Sequence, residues 1–286
     1  KSISICRARR GVDGAMEDDG VPERIFDAAC DGDLEEVQKF LASVATPRDV
    51  VNSIDPAAPG SNATLLSCVT CEVRNNVRHV KIVRLLISHG ANVNQIETGG
   101  ASPLHNVLHF FGHGCSGKAV IDVVKSLLRA GADVNRAGGR YVGLPITMVI
   151  EKLAKRRRPD SAALAELVKM LLRAGASVDS SSEGKLTGWQ SMRNVWLTAV
   201  RTHRYDDDGR CAELLADPHF ITIKAQIDGV HAHGSWRAYI MAPRLEVLTL
   251  RGLANRGKIR STDPALNNLV ALPNELICQV LAFWSG

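Results

Sequence analysis

Three segments of the chain spell the same pattern, V-x-x-L-[LI]-x-x-G-A-x-V-[ND], at residues 83–94, 124–135 and 168–179. Their glycines, Gly90, Gly131 and Gly175, are spaced by 41 and 44 residues. A unit repeated at this length constrains the fold strongly. Each copy is too small to bury its apolar face alone and must lean on its neighbours. Within each copy the apolar positions fall at i, i+3 and i+4, one stripe on a short helix. The glycine stands where that helix should stop, in a left-handed cap that Gly adopts without steric cost.

A second short helix is expected upstream of each copy. Ser102-Pro103-Leu104-His105 offers a capping hydroxyl, then Pro at the first helical position, then an apolar residue. Leu144-Pro145-Ile146-Thr147 keeps the Pro without the capping side chain, and Thr64-Leu65-Leu66-Ser67 is the weakest version. Each unit therefore reads as helix, turn, helix, Gly-Ala, and a short extended loop to the next.

These residues resemble the ankyrin repeat family, through the Ser102–His105 tetrapeptide and the run Leu127–Asn135. Ile25–Glu35, continued by Val37, Phe40 and Leu41, looks like a first repeat. The resemblance spans residues 23–217 as about four clear repeats and a degenerate fifth around Leu186–Asp217. It implies an all-α ankyrin-repeat solenoid with a helical extension at 218–286, behind a disordered lead at 1–22 within which Met16 is an alternative start. Relative to the family's repeat of about 33 residues, the units here are long. The additions fall between paired helices, at Gly112–Lys118 and Lys155–Asp160, and Ser43–Ser61 is read as a further loop.

Composition agrees with such a stack. Of 286 residues 45% are apolar but only 5% aromatic, as short Leu, Ala and Val helices require. All four Trp, at 189, 196, 236 and 284, lie beyond the three clear copies. No apolar run approaches the ~20 residues needed to cross a bilayer. Seven scattered Cys read as reduced thiols, which places the chain inside the cell, in the cytoplasm. The net charge of +5 is matched by five residues alone, Lys152, Lys155, Arg156, Arg157 and Arg158, a basic loop that would also suit nuclear entry. A nucleic-acid regulator using that loop is the rival reading.

The resemblance implies a non-enzymatic scaffold, monomeric, binding a protein on its loop tips and concave face. The tips supply the candidate contacts: Gln95, Glu97 and Thr98; Arg136, Arg140 and Tyr141; Ser181, Glu183 and Lys185. Arg and Tyr are frequent interface anchors, which favours the middle tip. No phosphate loop, nucleophile elbow or zinc-protease motif occurs, and no cofactor is expected. Cys68, Cys71, His105, His109, His113 and Cys115 come nearest to a metal set, but their spacing matches no familiar zinc site. His231-Ala232-His233 reads as a polar loop.

Past Pro218 the pattern changes. Pro243–Leu253 reads as one helix, Ala254–Asn268 as a polar gap, and Leu272–Trp284 as a second helix. Leu272-Pro273-x-Glu275-Leu276 with Val280-Leu281 resembles the first helix of an F-box. Pro243–Leu253 with Leu272-Pro273 is similar to a SOCS box, although Thr249 stands where that module usually has Cys. Either resemblance implies recruitment of a cullin-type ubiquitin ligase subunit through Leu245, Leu248, Leu272, Pro273 and Leu276. The alternative is that these helices only cap the open end of the stack.

Overall fold

The computed structural model describes residues 21–73, 77–112, 116–139, 143–155, 160–182, 184–202, 209–258 and 264–273, together with 276, 277 and 279. They are all-helical, with isolated bridges such as Ile54–Thr64 in place of extended strands. The chain divides into two compact units, Lys1–Ile227 and Asp228–Gly286.

The first unit is built from helix pairs. α1 (Glu23–Asp31) pairs with α2 (Leu34–Ser43), and a five-residue α3 (Pro47–Val51) follows. α4 (Leu65–Cys71) pairs with α5 (Val77–Ser88), and α6 (Pro103–Phe110) with α7 (Gly117–Arg129). α8 (Pro145–Glu151), prolonged by the 3-10 turn Lys152–Ala154, pairs with α9 (Ser161–Arg173). α10 (Gly188–Thr202) and α11 (Arg210–Ala216) form the last pair, and α12 (Pro218–His233) comes next. The first helices pack in series, α1 on α4, α4 on α6, α6 on α8, α8 on α10. So do the second helices, α2 on α5, α5 on α7, α7 on α9.

The repeated pattern explains both series. Val83, Leu86, Val124, Leu127, Val168, Leu171 and Leu172 are all essentially buried. Gly90, Gly131 and Gly175 end their helices at φ values of 86°, 85° and 92°. α4 has every one of its residues buried, because neighbours cover it on both sides. Its cap is stronger than the sequence suggested. The Thr64 N–H donates to Ser67 Oγ at 2.8 Å while Thr64 Oγ1 accepts from the Ser67 N–H at 3.4 Å, a reciprocal capping box.

Four sequence readings change. Ser43–Ser61 is not simply a loop: it contains α3 and the 3-10 turn Pro59–Ser61. His231 and His233 lie in the last turn of α12, where His233 Nδ1 hydrogen-bonds the Gly229 carbonyl at 2.8 Å. The polar gap 254–268 is interrupted by α14 (Pro264–Ala271). Lys152 is not part of an exposed basic loop. It is 3% exposed, and its ammonium donates to the carbonyls of His109 and Phe111 at 2.9 and 2.8 Å. A buried cation at the C-terminal end of α6 satisfies carbonyls the helix leaves open and complements its dipole. It thereby anchors the start of the long loop to α7.

In the second unit, α13 (Trp236–Asn255) starts at Ser235, whose Oγ accepts from the Ala238 N–H at 3.2 Å. Trp236 and His233 both pack against Tyr239, with ring centroids 5.8 and 6.0 Å away. α13 contacts α14, and the Arg251 guanidinium donates to the Leu272 carbonyl just beyond it. None of the side chains of α13 is buried.

Candidate protein-interaction surface

The loop tips of the first unit are held in register by hydrogen bonds between repeats. Asn52 Nδ2 donates to the Gly90 carbonyl at 3.1 Å, and its Oδ1 accepts from the Asn92 N–H at 2.7 Å. Asn94 does the same for the Gly131 carbonyl and the Asp133 N–H, at 3.0 and 2.8 Å. Asn135 repeats it on the Gly175 carbonyl and the Ser177 N–H, at 2.9 and 2.8 Å. Each asparagine thus offers one donor and one acceptor to the helix end and loop of the next unit. An amide is needed, since a carboxylate only accepts. The fourth equivalent position is Asp179, beyond which the pattern of repeats is lost.

A second tie runs through His105. Its Nε2 lies 3.1 Å from the Arg136 carbonyl, so Nε2 carries the proton and donates. Nδ1 is left to accept, and it faces the Ser102 N–H at 3.3 Å and the Ser102 hydroxyl at 2.7 Å. Burial lowers the histidine pKa to about 4; the hydrogen bonds to the Arg136 and Gly143 backbone oppose that shift in part. The imidazole is therefore neutral at physiological pH. Its role is to fasten the tip that carries Arg136 to the helix of its own repeat.

The tips also touch one another through backbone. Thr98 bonds the preceding tip twice, its N–H to the Ser61 carbonyl at 2.8 Å and its hydroxyl to the Gly60 carbonyl. A Cβ at Gly100 would fall 2.7 Å from the α-carbon of Gly139, and one at Gly139 would fall 2.5 Å from the Gly99 carbonyl oxygen. Both glycines also have positive φ, so nothing larger fits this crossing.

This geometry sorts the candidate contacts. Gln95 is half-buried and accepts from Asn92 Nδ2 at 3.3 Å. Glu97 accepts from Asn106 Nδ2 at 2.6 Å, so its carboxylate braces α6 from below the tip. Thr98 and Ser181 are exposed. Arg136 is half-exposed, with Nε 3.7 Å from Asp133 Oδ2, and Lys185 is exposed. Arg140, Tyr141 and Glu183 lie outside the described residues, as do His113 and Cys115 of the candidate metal set. His105 of that set is committed to Ser102 and Arg136, and α6 ends at Phe110, before Gly112 with its φ of 97°. Among the described residues no group of His, Cys, Asp or Glu could hold a metal ion.

In the second unit Leu245, Leu248 and Leu276 are 57%, 44% and 44% exposed, and Leu250 is 37% exposed. Leu245 and Leu248 are three residues apart on α13 and share one face. Leu272 is half-buried and Pro273 exposed. Sequence reasoning passed over the asparagines and the crossing glycines. The asparagine signal was present, since Asn52 precedes Asn94 by nearly the same interval that separates Asn94 from Asn135.

No described helix is long and apolar enough to cross a membrane. No curated protein matches the chain. The ankyrin repeat family model matches residues 63–97, the stretch from the Thr64 cap through α4, α5 and Gly90 to the tip that carries Gln95 and Glu97.

Proposed function

We propose that the chain is a non-enzymatic scaffold whose helix pairs continue as an ankyrin solenoid and bind a partner protein along the row of loop tips. The observation that carries this reading is the asparagine series. It spends a repeated, near-surface side chain on holding successive tips at fixed spacing, and such preorganisation lowers the ordering cost of binding. Lys185 is exposed and Arg136 half-exposed on that row, with Arg140, Tyr141 and Glu183 beside them in sequence.

The second unit gives the sharper form, a substrate-recognition adaptor of a cullin-type ubiquitin ligase, intracellular and with access to the nucleus. Its support is α13, whose Leu245 and Leu248 remain exposed side by side. Leucines that only cap a stack would be expected under cover; exposed ones suit docking of a ligase subunit, and Pro273 and Leu276 are exposed as well, with Leu272 half-buried between the helices in sequence. Affinity purification from cells tests both parts. The Arg136→Glu, Lys185→Glu pair should lose the substrate partner and keep the ligase subunits. The Leu245→Asp, Leu248→Asp pair should do the reverse. Absence of cullin-ligase subunits from the intact chain's partners refutes the adaptor role and leaves the scaffold role standing.

A further inference from the structure

The positive charge of the first unit is concentrated on three adjacent helices. α5, α7 and α9 pack in series and hold eight Lys and Arg against two acids, Asp122 and Glu166, a net of +6 where the whole chain has +5. The repeat register lines the cations up. Arg84, Lys125 and Lys169 each follow the first valine of the repeated pattern, and Arg129 and Arg173 each stand five residues after it. All are exposed except Lys169, which is half-exposed. Helices packed side by side lie about 8–10 Å apart, so equivalent positions become neighbours. Arg84 reaches across to α7, with Nε donating to Ser126 Oγ at 3.4 Å and Nη2 3.7 Å from Asp122 Oδ1.

Folding alone does not ask for this arrangement. Lys125–Arg129 and Lys169–Arg173 are like-charge pairs at i, i+4, which work against a helix. The macrodipole accounts for Arg129 and Arg173 in their last turns, but it opposes Lys118 in the first turn of α7. Asp122 is engaged by Arg84. Among the described residues no ion pair or side-chain hydrogen bond engages Lys81, Lys118, Lys125, Arg129, Lys169 or Arg173. Residues 74–76, 113–115 and 156–159, which adjoin these helices in sequence and lie outside the described residues, contain no acid.

The make-up of the face selects its occupant. α5, α7 and α9 contain no Phe, Tyr or Trp. Protein interfaces draw on aromatic anchors and are depleted in Lys. Single-stranded nucleic acid needs aromatic stacking platforms, and helices that lie in a membrane surface favour Trp and Phe. A duplex held by its phosphates needs only cations spread over a broad, fixed surface. The dimensions agree. Three helices side by side span about 20 Å, and Lys118 to Arg129 runs about 16 Å along α7. With one charge per ~1.7 Å of axis, about 20 Å of duplex turns roughly six phosphates to one side, which matches the six unengaged cations.

We infer that the outer face of α5, α7 and α9 binds double-stranded DNA through its phosphate backbone, without selecting a sequence. It uses none of the tip residues, and so stands or falls apart from the scaffold reading.

The test is fluorescence anisotropy of a random-sequence DNA duplex of about 20 base pairs with the intact chain across a salt series. With about five phosphates neutralised, log K should fall with log salt at a slope of about −4 to −5. Lys125→Gln with Lys169→Gln should reduce that slope by about two and weaken binding about tenfold or more at low salt. Lys125→Arg with Lys169→Arg should keep it. Lys39→Gln with Lys258→Gln changes the net charge equally at exposed positions elsewhere and should leave binding within about twofold. Both glutamine pairs should melt no lower than the intact chain. Absence of duplex binding at low salt overturns the inference. So does an equal loss in the two glutamine pairs, which would reduce the effect to net charge, or a loss that tracks a lowered melting temperature. Tighter binding of the matching single strand, of polyglutamate or of phosphatidylserine vesicles would assign the face to another partner and overturns it as well.

Discussion

α4 and α13 make an instructive pair. α4 is seven residues long and every one of them is buried, Ser67 and Thr70 included; α13 is twenty residues long and buries none. Both are rich in apolar residues, so composition does not separate them. What separates them is that α4 lies between α1 and α6 in a series of like helices, and its polar groups are bonded within its own cap and turn. Apolar side chains in such a series are committed to stability. On α13 they remain available. The same residue type therefore has opposite meanings in the two units, and substitutions should reveal it.

The largest expected effect lies in the packed series. Leu66→Ala or Leu127→Ala empties a fully buried site and should cost about 2–5 kcal/mol, read as a lower denaturation midpoint. A loss below about 1 kcal/mol would mean that the helix pairs are looser than the burial implies.

Next comes acid. His105 titrates at about 4 in the folded chain against 6.5 in a free peptide, because burial disfavours its charged form. A lowered pKa contributes stability that is fully present above pH 6.5 and is lost as pH falls to about 4. The unfolded chain takes up the proton first. The shift corresponds to about 3 kcal/mol at most. Denaturant melts of the intact chain and of His105→Gln across that window should differ in slope. Parallel curves would show that the imidazole is not held neutral.

How much of this was legible beforehand follows the same division. The repeated pattern placed the buried leucines and the three capping glycines, because helix periodicity and Gly at a left-handed cap are local properties. Long-range partners were harder to see. Lys152 counted as surface charge until the carbonyls of His109 and Phe111 stood next to it. Glu97 looked like a free contact residue, yet it braces Asn106. Nothing in the spelling of one loop says that Gly100 and Gly139 must cross without side chains. Past the repeats there is nothing to extrapolate from: the helix expected over Pro243–Leu253 falls within α13, whereas the end of α12 reads in sequence as a polar loop and α14 as part of a polar gap, and most of Leu272–Trp284 lies outside the described residues.

The asparagine series gives a smaller, more specific effect. Asn94→Ala removes two hydrogen bonds at the surface, each worth about 1 kcal/mol net, so a loss of about 1–2 kcal/mol is expected. Asn94→Asp should recover only part of it, since the carboxylate accepts from the Asp133 N–H but offers the Gly131 carbonyl nothing. The carboxylate would also face Asp133. If aspartate proves as stable as asparagine in a thermal melt, the series does not hold the tips in register.

The smallest stability change is expected on the proposed docking face of α13. Leu245→Ala and Leu248→Ala alter exposed positions on α13 and should shift unfolding by no more than about 0.5 kcal/mol. A leucine that serves as a buried anchor at the centre of a contact, by contrast, costs above about 1 kcal/mol of binding on truncation, which only a minority of interface residues do. A double substitution that lowers the melting temperature by many degrees would show that these leucines are covered in solution, and α13 would then belong with α4. Unchanged melting with lost capture of a ligase subunit would establish the contrast between the two units at its sharpest, apolar surface kept exposed in the folded chain because its partner is another protein.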